Sequence, residues 1–338
     1  MENTIFQVRN LKIDYHLVNS SVHAVDGVSF TVRKGERLGI VGESGSGKTT
    51  VVKSILKLLP TNAKIAGGNI YLKDKDITTL NEKEMDNIRW KEISLVPQSA
   101  MNALNPVSRI SDQMVETFLA HTKLTKEEAL NRSEQLFEMV GLNANRIFDY
   151  PHQFSGGMRQ RAIIAMAIAL NPLLIIADEP TTALDVIMQA QIINLLESLS
   201  EKQGISLILI THDISIVAEI CQTIGVMYAG RLMEYGDIEK VFNHPFHPYT
   251  MGLKGAFPSI KEPKKSLISI PGNPPMLTHW LLKCGFSDRC PFSTDRCDKE
   301  IPEMISVEEN HYVACHRIQD ADKFRREIKY IFEKATRN

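Results

Sequence analysis

Long apolar runs are missing from this 338-residue sequence. The longest, Ala162–Leu170, falls well short of the roughly 20 residues that span a bilayer, so no membrane crossing is expected. The opening residues, MENTIFQVRN, lack the charged-then-apolar pattern of a secretory leader, and export is not expected. A surplus of charge is missing too. Lys plus Arg number 39 and Asp plus Glu 40, a formal net charge of −1, which argues against coating nucleic acid by bulk charge while leaving room for a local basic patch. There is no internal repeat and no low-complexity tract. Apolar residues make up 43% and charged residues 23%, enough apolar surface to offset chain entropy, so disorder is not expected. The length suggests two domains, or one large domain with an extension. Cysteine is scarce, but four of the five fall in the last quarter: Cys284, Cys290, Cys297 and Cys315. In a chain that is not exported, such a cluster reads as a metal site before it reads as disulfides.

What is present is alternation. Ile5–Ile13 and Ala24–Val32 are rich in β-branched and aromatic residues and are punctuated by turn signals at Asn10 and Lys34-Gly35. The short apolar strand Arg37–Val41 runs straight into Gly42–Thr50, and Val51–Leu59 then reads as a helix ended by Pro60. Gly67–Leu72 and Ile93–Val96 read as strands flanking a polar, helical Asn81–Lys91. From Ala100 to His152 the pattern becomes helical, with Ile110, Met114, Val115, Phe118 and Leu119 at spacings of three and four. Glu127–Val140 repeats it with Leu130, Phe137 and Val140, closed by Gly141, so a helical subdomain is inserted into a mixed one. Met158–Leu170 (helix), Leu173–Ala177 (an all-apolar strand), Ile187–Lys202 (helix), Ile205–Ile210 (strand), another helix and Thr223–Met227 (strand) follow. That alternation predicts a parallel sheet with crossover helices.

Past Asn243 the texture changes. His244–Tyr249 and Pro271–Pro275 are proline-rich, Lys261–Lys265 resembles a solvated connector, and a charged helical tail follows the cysteines. The expected domains are 1–243 and 244–338.

Gly42 to Thr49 fits G-x-x-x-x-G-K-[ST]. The glycines let backbone N–H groups approach phosphate oxygens, and the following helix N-terminus favours negative charge. Lys48 reaches the β- and γ-phosphates in such a loop, and the Thr49 hydroxyl ligates magnesium. An accidental glycine turn is the bland alternative, opposed by the strand before and the helix after. Kinases, GTPases and DNA motors share the loop, so function turns on what lies downstream.

Phe154–Arg161 places Ser155, Gly156 and Gly157 at the start of a long helix, either a second anion cradle or simply an N-cap with a hinge. Asp178 ends a buried strand, where it can hold magnesium through water. Glu179 next to it sits where a general base polarises an attacking water; the alternative is a solvated turn carboxylate. His212 follows another strand, placed to touch a γ-phosphate or else to cap a helix.

Taken in order, the phosphate loop, Gln98, the Ser155-Gly156-Gly157 signature, Asp178-Glu179, Ala183-Leu184-Asp185 and His212 resemble the ATP-binding cassette (ABC) ATPases over about residues 5–240. The resemblance implies an α/β fold: a P-loop nucleotide-binding domain with a RecA-like parallel core, an antiparallel β subdomain and a helical subdomain at about 100–170. It implies that Tyr15 stacks on adenine and that Gly42, Glu43, Ser44, Gly45, Ser46, Gly47, Lys48, Thr49 and Thr50 bind ATP. Gln98 senses magnesium and γ-phosphate, with Thr49 and Asp178 as the other magnesium residues; Glu179, His212, Gln98 and Lys48 form the catalytic set. Ser155, Gly156 and Gly157 close over ATP held by another subunit, and Asp185 communicates across that dimer. Met158 departs from the family, where Gln is frequent.

Gln98–Val107, the FSGGMRQR signature and a tail with HPFHPYT and PGNPP resemble the oligopeptide/dipeptide importer branch, its D-type ATPase more than the F-type partner. This implies an F-type ATPase as heterodimer partner, two transmembrane permeases, an extracytoplasmic binding protein, no nucleic acid, and a peripheral place on the cytoplasmic face of the membrane. Relatives in the branch move peptides, nickel or oligosaccharides, and nothing in an ATPase touches the cargo. A soluble ABC protein acting on ribosomes or DNA is the rival from another class, and a non-hydrolysing subunit is a further one. The cysteine spacing C-x5-C-x6-C-x17-C is looser than paired C-x2-C zinc patterns. Four thiolates suit zinc or a 4Fe–4S cluster, with reduced structural thiols as the alternative. The resemblance implies the cluster, in a small C-terminal extension. Cys221 stands apart as a small buried hydrophobe.

Overall fold

A computed structural model describes residues 3–18, 20–98, 103–256, 270–277 and 281–335. The connector Lys261–Lys265 and Met101 of the Gln98–Val107 segment lie outside them.

In chain order, strands β1 (Thr4–His16), β2 (Ser21–Arg33) and β3 (Arg37–Val41) precede helix α1 (Lys48–Ile55). Strands β4 (Ala63–Leu72) and β5 (Lys75–Asp76), helix α2 (Glu82–Asp86) and strand β6 (Ile93–Val96) follow. Next come helices α3 (Ile110–His121), α4 (Lys126–Met139) and α5 (Gly156–Ile168). Strand β7 (Leu174–Asp178), helix α6 (Val186–Gln203), strand β8 (Ser206–Thr211), helix α7 (Ile214–Ile220) and strand β9 (Thr223–Tyr228) alternate. Strand β10 (Arg231–Asp237) and helices α8 (Ile238–Asn243) and α9 (Pro248–Ala256) lead to strands β11 (Ile305–Glu308) and β12 (His311–Val313) and helix α10 (Ala321–Ala335).

The chain forms two compact units. One comprises Met1–Ile5, Arg33–Arg37 and Thr79–Ile210. In it β6, β7 and β8 pair in parallel, and every residue of β7 and β8 but the last falls in a run of Leu, Ile, Ala and Ser that is buried throughout. Both faces are therefore covered, as the uninterrupted apolar run at 173–177 predicts. The inserted helices obey their period. Ile110, Met114 and Phe118 of α3 are buried, whereas Leu119 is 37% exposed, so the stripe runs at i, i+4, i+8. Phe118 packs with Ala129 and Ala169, and Val115, Leu124, Leu136 and Leu170 close over them. Thr125 and Glu128 form a capping box at the start of α4, and Gly141, at φ 75°, closes its end.

The other unit comprises Phe6–Val32, Leu38–Thr78 and Thr211–Asn338. It holds a four-stranded sheet of order β2-β1-β4-β5, with β1 antiparallel to β4 and β4 to β5. Beside it, β3 lies parallel to β9, and β10 is antiparallel to both β9 and β12, which in turn pairs with β11. Residues 305–313 thus extend a sheet begun by β3 and β9.

Two local expectations are corrected. The helix expected over Val51–Leu59 ends at Ile55, not at Pro60. Lys57 turns into the left-handed region (φ 53°), Leu58 N–H donates to Lys53 O (2.7 Å) and Lys57 N–H to Ser54 O (3.2 Å), a backbone closure that needs no proline. The helix expected over Asn81–Lys91 spans only Glu82–Asp86: the Asn87 and Ile88 N–H groups donate to Glu84 O (3.3 Å) and Met85 O (2.9 Å), a tightened last turn, and Trp90 then takes φ 68°. Strands β10, β11 and β12, which carry no clean alternation, went unpredicted. Among the described residues no helix is long and apolar enough to cross a membrane.

Candidate functional site

The phosphate loop joins β3 to α1. All five residues of β3 are buried, so the strand delivers the loop from a fixed position. Gly42 cannot be replaced without moving the backbone: a Cβ there would lie 2.1 Å from Met227 O. Gly47, the N-cap of α1 at φ 100°, would place a Cβ 2.5 Å from Ala24 O. Lys48, 5% exposed, folds its ammonium across the loop and donates to Gly42 O (2.7 Å), Glu43 O (2.9 Å) and Ser46 Oγ (3.4 Å). An ammonium so held is a fixed positive charge at the mouth of a helix N-terminus, the electrostatics a phosphate chain requires. Ser44 and Gly45 are exposed at the tip, and Thr49 is half-buried on the first turn. Tyr15 is tied to the same helix, its hydroxyl 3.3 Å from Thr50 Oγ1. His212, in this unit, is exposed. The capping alternative for it is corrected: Asp213 caps α7, accepting from Ser215 N–H at 2.8 Å.

In the other unit β7 carries Asp178 to a buried end (4% exposed) and leaves Glu179 one residue beyond it. Glu179 adopts φ 46°, a left-handed conformation costly for a residue with a side chain. Its N–H donates to Ile210 O (2.8 Å), and its Oε2 accepts from Gln98 Nε2 (2.9 Å) and Thr182 Oγ1 (3.0 Å). Gln98 and Glu179, 81 positions apart, therefore meet. Two donors orient this carboxylate, one of them from the turn three residues on.

Ser155 does cap α5: its Oγ accepts the Met158 N–H at 3.3 Å. Only the main chain of Met158 takes part, so the departure from Gln leaves the turn unaltered. Gly156 opens the helix and Gly157 is buried within its first turn. Asp185 caps α6, accepting from Met188 N–H at 2.9 Å.

The four clustered cysteines converge. Cys284, Cys290, Cys297 and Cys315 line one cavity, with Phe286, Phe292 and Phe324 among its walls. Phe292 stacks on Phe324 with centroids 4.1 Å apart, and Arg317 N–H donates to Cys315 Sγ (3.4 Å). Burial pushes the Cys284 thiol up to about 11 and those of Cys290 and Cys315 up to about 12. Among the described residues no group of three or more His, Cys, Asp or Glu is placed to hold a metal ion. Cys221 is buried at the C-terminal end of α7, as expected of a small hydrophobe.

Sequence reasoning missed Arg289 and Tyr249, which touch the phosphate loop from the tail. Arg289 pairs with Glu43, and the Tyr249 hydroxyl accepts the Glu43 N–H (2.9 Å). Neither carries a local signal. They are 246 and 206 positions from Glu43.

Residues 25–182 match the family model described as ABC transporter, and residues 233–297 the one described as oligopeptide/dipeptide transporter, C-terminal region. The chain is 42% identical over 313 residues to the oligopeptide transport ATP-binding protein OppD of Bacillus subtilis, covering 91% of this chain and 87% of that one. It is 43% identical over 314 residues to the dipeptide transport ATP-binding protein DppD of the same organism, covering 92% and 94%. Among solved structures it is similar to a dimeric, post-hydrolysis state of an ATP-binding cassette bound to ADP and Pi. The TM-score is 0.62 at 28% identity, covering 69% of this chain and 98% of that one.

Proposed function

The chain belongs to the ATP-binding subunits of the oligopeptide/dipeptide ABC transporters, and from that premise we propose how its residues divide the work. It hydrolyses ATP to power peptide transport, together with membrane permeases and a substrate-binding protein. The observation that carries the mechanism is Glu179, held at a strand end by Gln98 and Thr182 in a backbone conformation it would not choose freely.

In this reading Lys48 and the loop N–H groups of Gly42–Thr50 bind the β- and γ-phosphates, and Tyr15 stacks on the base. Glu179 accepts the proton of the attacking water, Gln98 orients that water, and His212 donates to the γ-phosphate. Thr49, Gln98 and Asp178 offer the hydroxyl, amide and carboxylate oxygens that magnesium takes. The ion supplies charge neutralisation on the phosphates. Ser155, Gly156 and Gly157 close over nucleotide held by an F-type ATPase partner, and Asp185 bears on the same seam. The helical insertion at about 100–170 receives the permease at the cytoplasmic face.

The four cysteines that line one cavity match in number the irons of a 4Fe–4S cluster, which the resemblance implies, though among the described residues no three of them are placed to hold a metal ion. Cys284, Cys290, Cys297 and Cys315 would hold it, and its charge would keep as thiolates groups that burial otherwise keeps protonated. Iron and acid-labile sulfide in anaerobically purified protein, and their loss in Cys290→Ser, are the expected results. Wild-type protein free of iron sinks the cluster and leaves the ATPase reading standing.

The test of the ATPase reading is Lys48→Ala. Nucleotide binding to the purified chain and peptide uptake by the assembled transporter should both fall to background. Undiminished uptake would overturn it.

A further inference from the structure

Arg289 lies between two of the clustered cysteines, at the end of the turn Ser287–Arg289 that precedes Cys290. Its side chain is 7% exposed and reaches the second residue of the phosphate loop. Nη1 donates to Glu43 Oε2 (2.7 Å) and Nη2 to Glu43 Oε1 (3.1 Å), a two-armed pair. The guanidinium is itself anchored: Nε donates to Pro271 O (2.8 Å), Nη2 to Ile270 O (3.1 Å) and Nη1 to the Tyr228 hydroxyl (3.1 Å). Glu43 is held from all sides. Its N–H donates to the Tyr249 hydroxyl and its carbonyl accepts from Lys48 Nζ. Tyr228 and Tyr249 pack on each other and both on Phe286, so the tail meets the loop with a rigid aromatic face.

A carboxylate in a phosphate loop is an electrostatic liability, because like charge repels the ligand the loop exists to bind. We propose that Arg289 is a positioning residue of the nucleotide site: by neutralising and fixing Glu43 it makes phosphate affinity depend on the cysteine-bearing tail. The proposal rests on the ATPase reading above and adds to it a residue of the tail that sets nucleotide affinity. The dependence runs both ways, since coupling between two bound elements is reciprocal.

The test measures the Kd of the purified full chain for ADP with magnesium by calorimetry, in wild type, Arg289→Ala, Glu43→Gln and the double variant. Arg289→Ala should weaken binding about tenfold, because it leaves the carboxylate unpaired beside the phosphates. Glu43→Gln, which removes the repelling charge along with the pair, should cost about threefold. The double variant should match Glu43→Gln, so that the second substitution repairs most of the first. A bolt that only stabilised the fold would lower the melting temperature of Arg289→Ala without this repair. Affinity of folded Arg289→Ala within about twofold of wild type, or a double variant weakened by the product of the singles, overturns the proposal. If Arg289→Ala does not fold, Arg289→Gln carries the test: it keeps N–H donors for the Ile270 and Pro271 carbonyls and loses the charge, and affinity within about twofold of wild type overturns the proposal. Wild-type protein that binds no ADP would instead defeat the ATPase reading.

Discussion

Glu179 shows how much one residue can reveal when its surroundings are known. Two donors fix its carboxylate, and its left-handed backbone is the kind of strain that persists where the surrounding structure over-determines it. Glu179→Gln preserves shape and hydrogen-bonding capacity but cannot take a proton. Nucleotide binding should survive while turnover falls on the order of 10²–10⁴, the worth of a general base. Single-turnover hydrolysis by the assembled transporter measures it, and turnover at the wild-type rate removes Glu179 from the role. The sequence betrayed this residue, and Lys48, through neighbours: a glycine loop, an apolar strand and an acidic pair are all local. Arg289 gave no such sign, because its partner lies 246 positions away and only folding makes them adjacent.

Elements were legible where one period governs them. The insertion helices show their buried stripe in the sequence, and β7 and β8 are too apolar to be anything but covered strands. Short, mixed elements were not. β11 reads Ile-Ser-Val-Glu and lies mostly exposed, so its place is fixed by pairing with β12, not by its own pattern. The proline-rich stretch before α9 likewise hides a cap. His247, 2% exposed, accepts the Tyr249 N–H on Nδ1 at 3.0 Å, which requires that nitrogen unprotonated. Burial holds its pKa down to about 3, against 6.5 when unfolded. Unfolding therefore takes up a proton between those values. The cap's contribution is complete above about pH 6.5 and drains away as pH falls toward 3, at no more than about 1.4 kcal/mol per pH unit for one proton. His247→Asn retains an acceptor for the same N–H and cannot titrate. Urea unfolding at about pH 7, 6 and 5 should show the wild type losing stability faster than the variant by up to one proton's slope. Parallel slopes would remove His247 as the source.

At the scale of the molecule, the change of texture at Asn243 raises the question of whether the chain can be cut there. Glu234 on β10 is fully buried, and its carboxylate takes Phe246 N–H (2.8 Å), His247 N–H (3.0 Å) and His311 Nε2 (2.7 Å). All three partners come from beyond residue 243. So does β12, which covers the edge of β10 through Glu234, Tyr235 and Gly236. A chain ending at Asn243 would keep the carboxylate and lose every one of these partners. It would also bare a strand edge that pairs readily with other molecules. Leaving a buried acceptor without its donor costs about 1–3 kcal/mol, and three such losses are a large share of the roughly 5–15 kcal/mol that holds a domain folded. The fragment 1–243 should therefore aggregate or be degraded when expressed alone. Glu234→Gln in the full chain should fold with a lowered melting temperature, because the amide keeps one acceptor oxygen and turns the other into an N–H that faces a donor. Size-exclusion chromatography and thermal melts of the two proteins decide the matter. A monomeric fragment with a sharp melt would mean that the tail is an appendage. Aggregation of the fragment beside a folded full-length Glu234→Gln would mean that a tail dissimilar in texture supplies the donors and the edge strand on which the nucleotide-binding sheet depends.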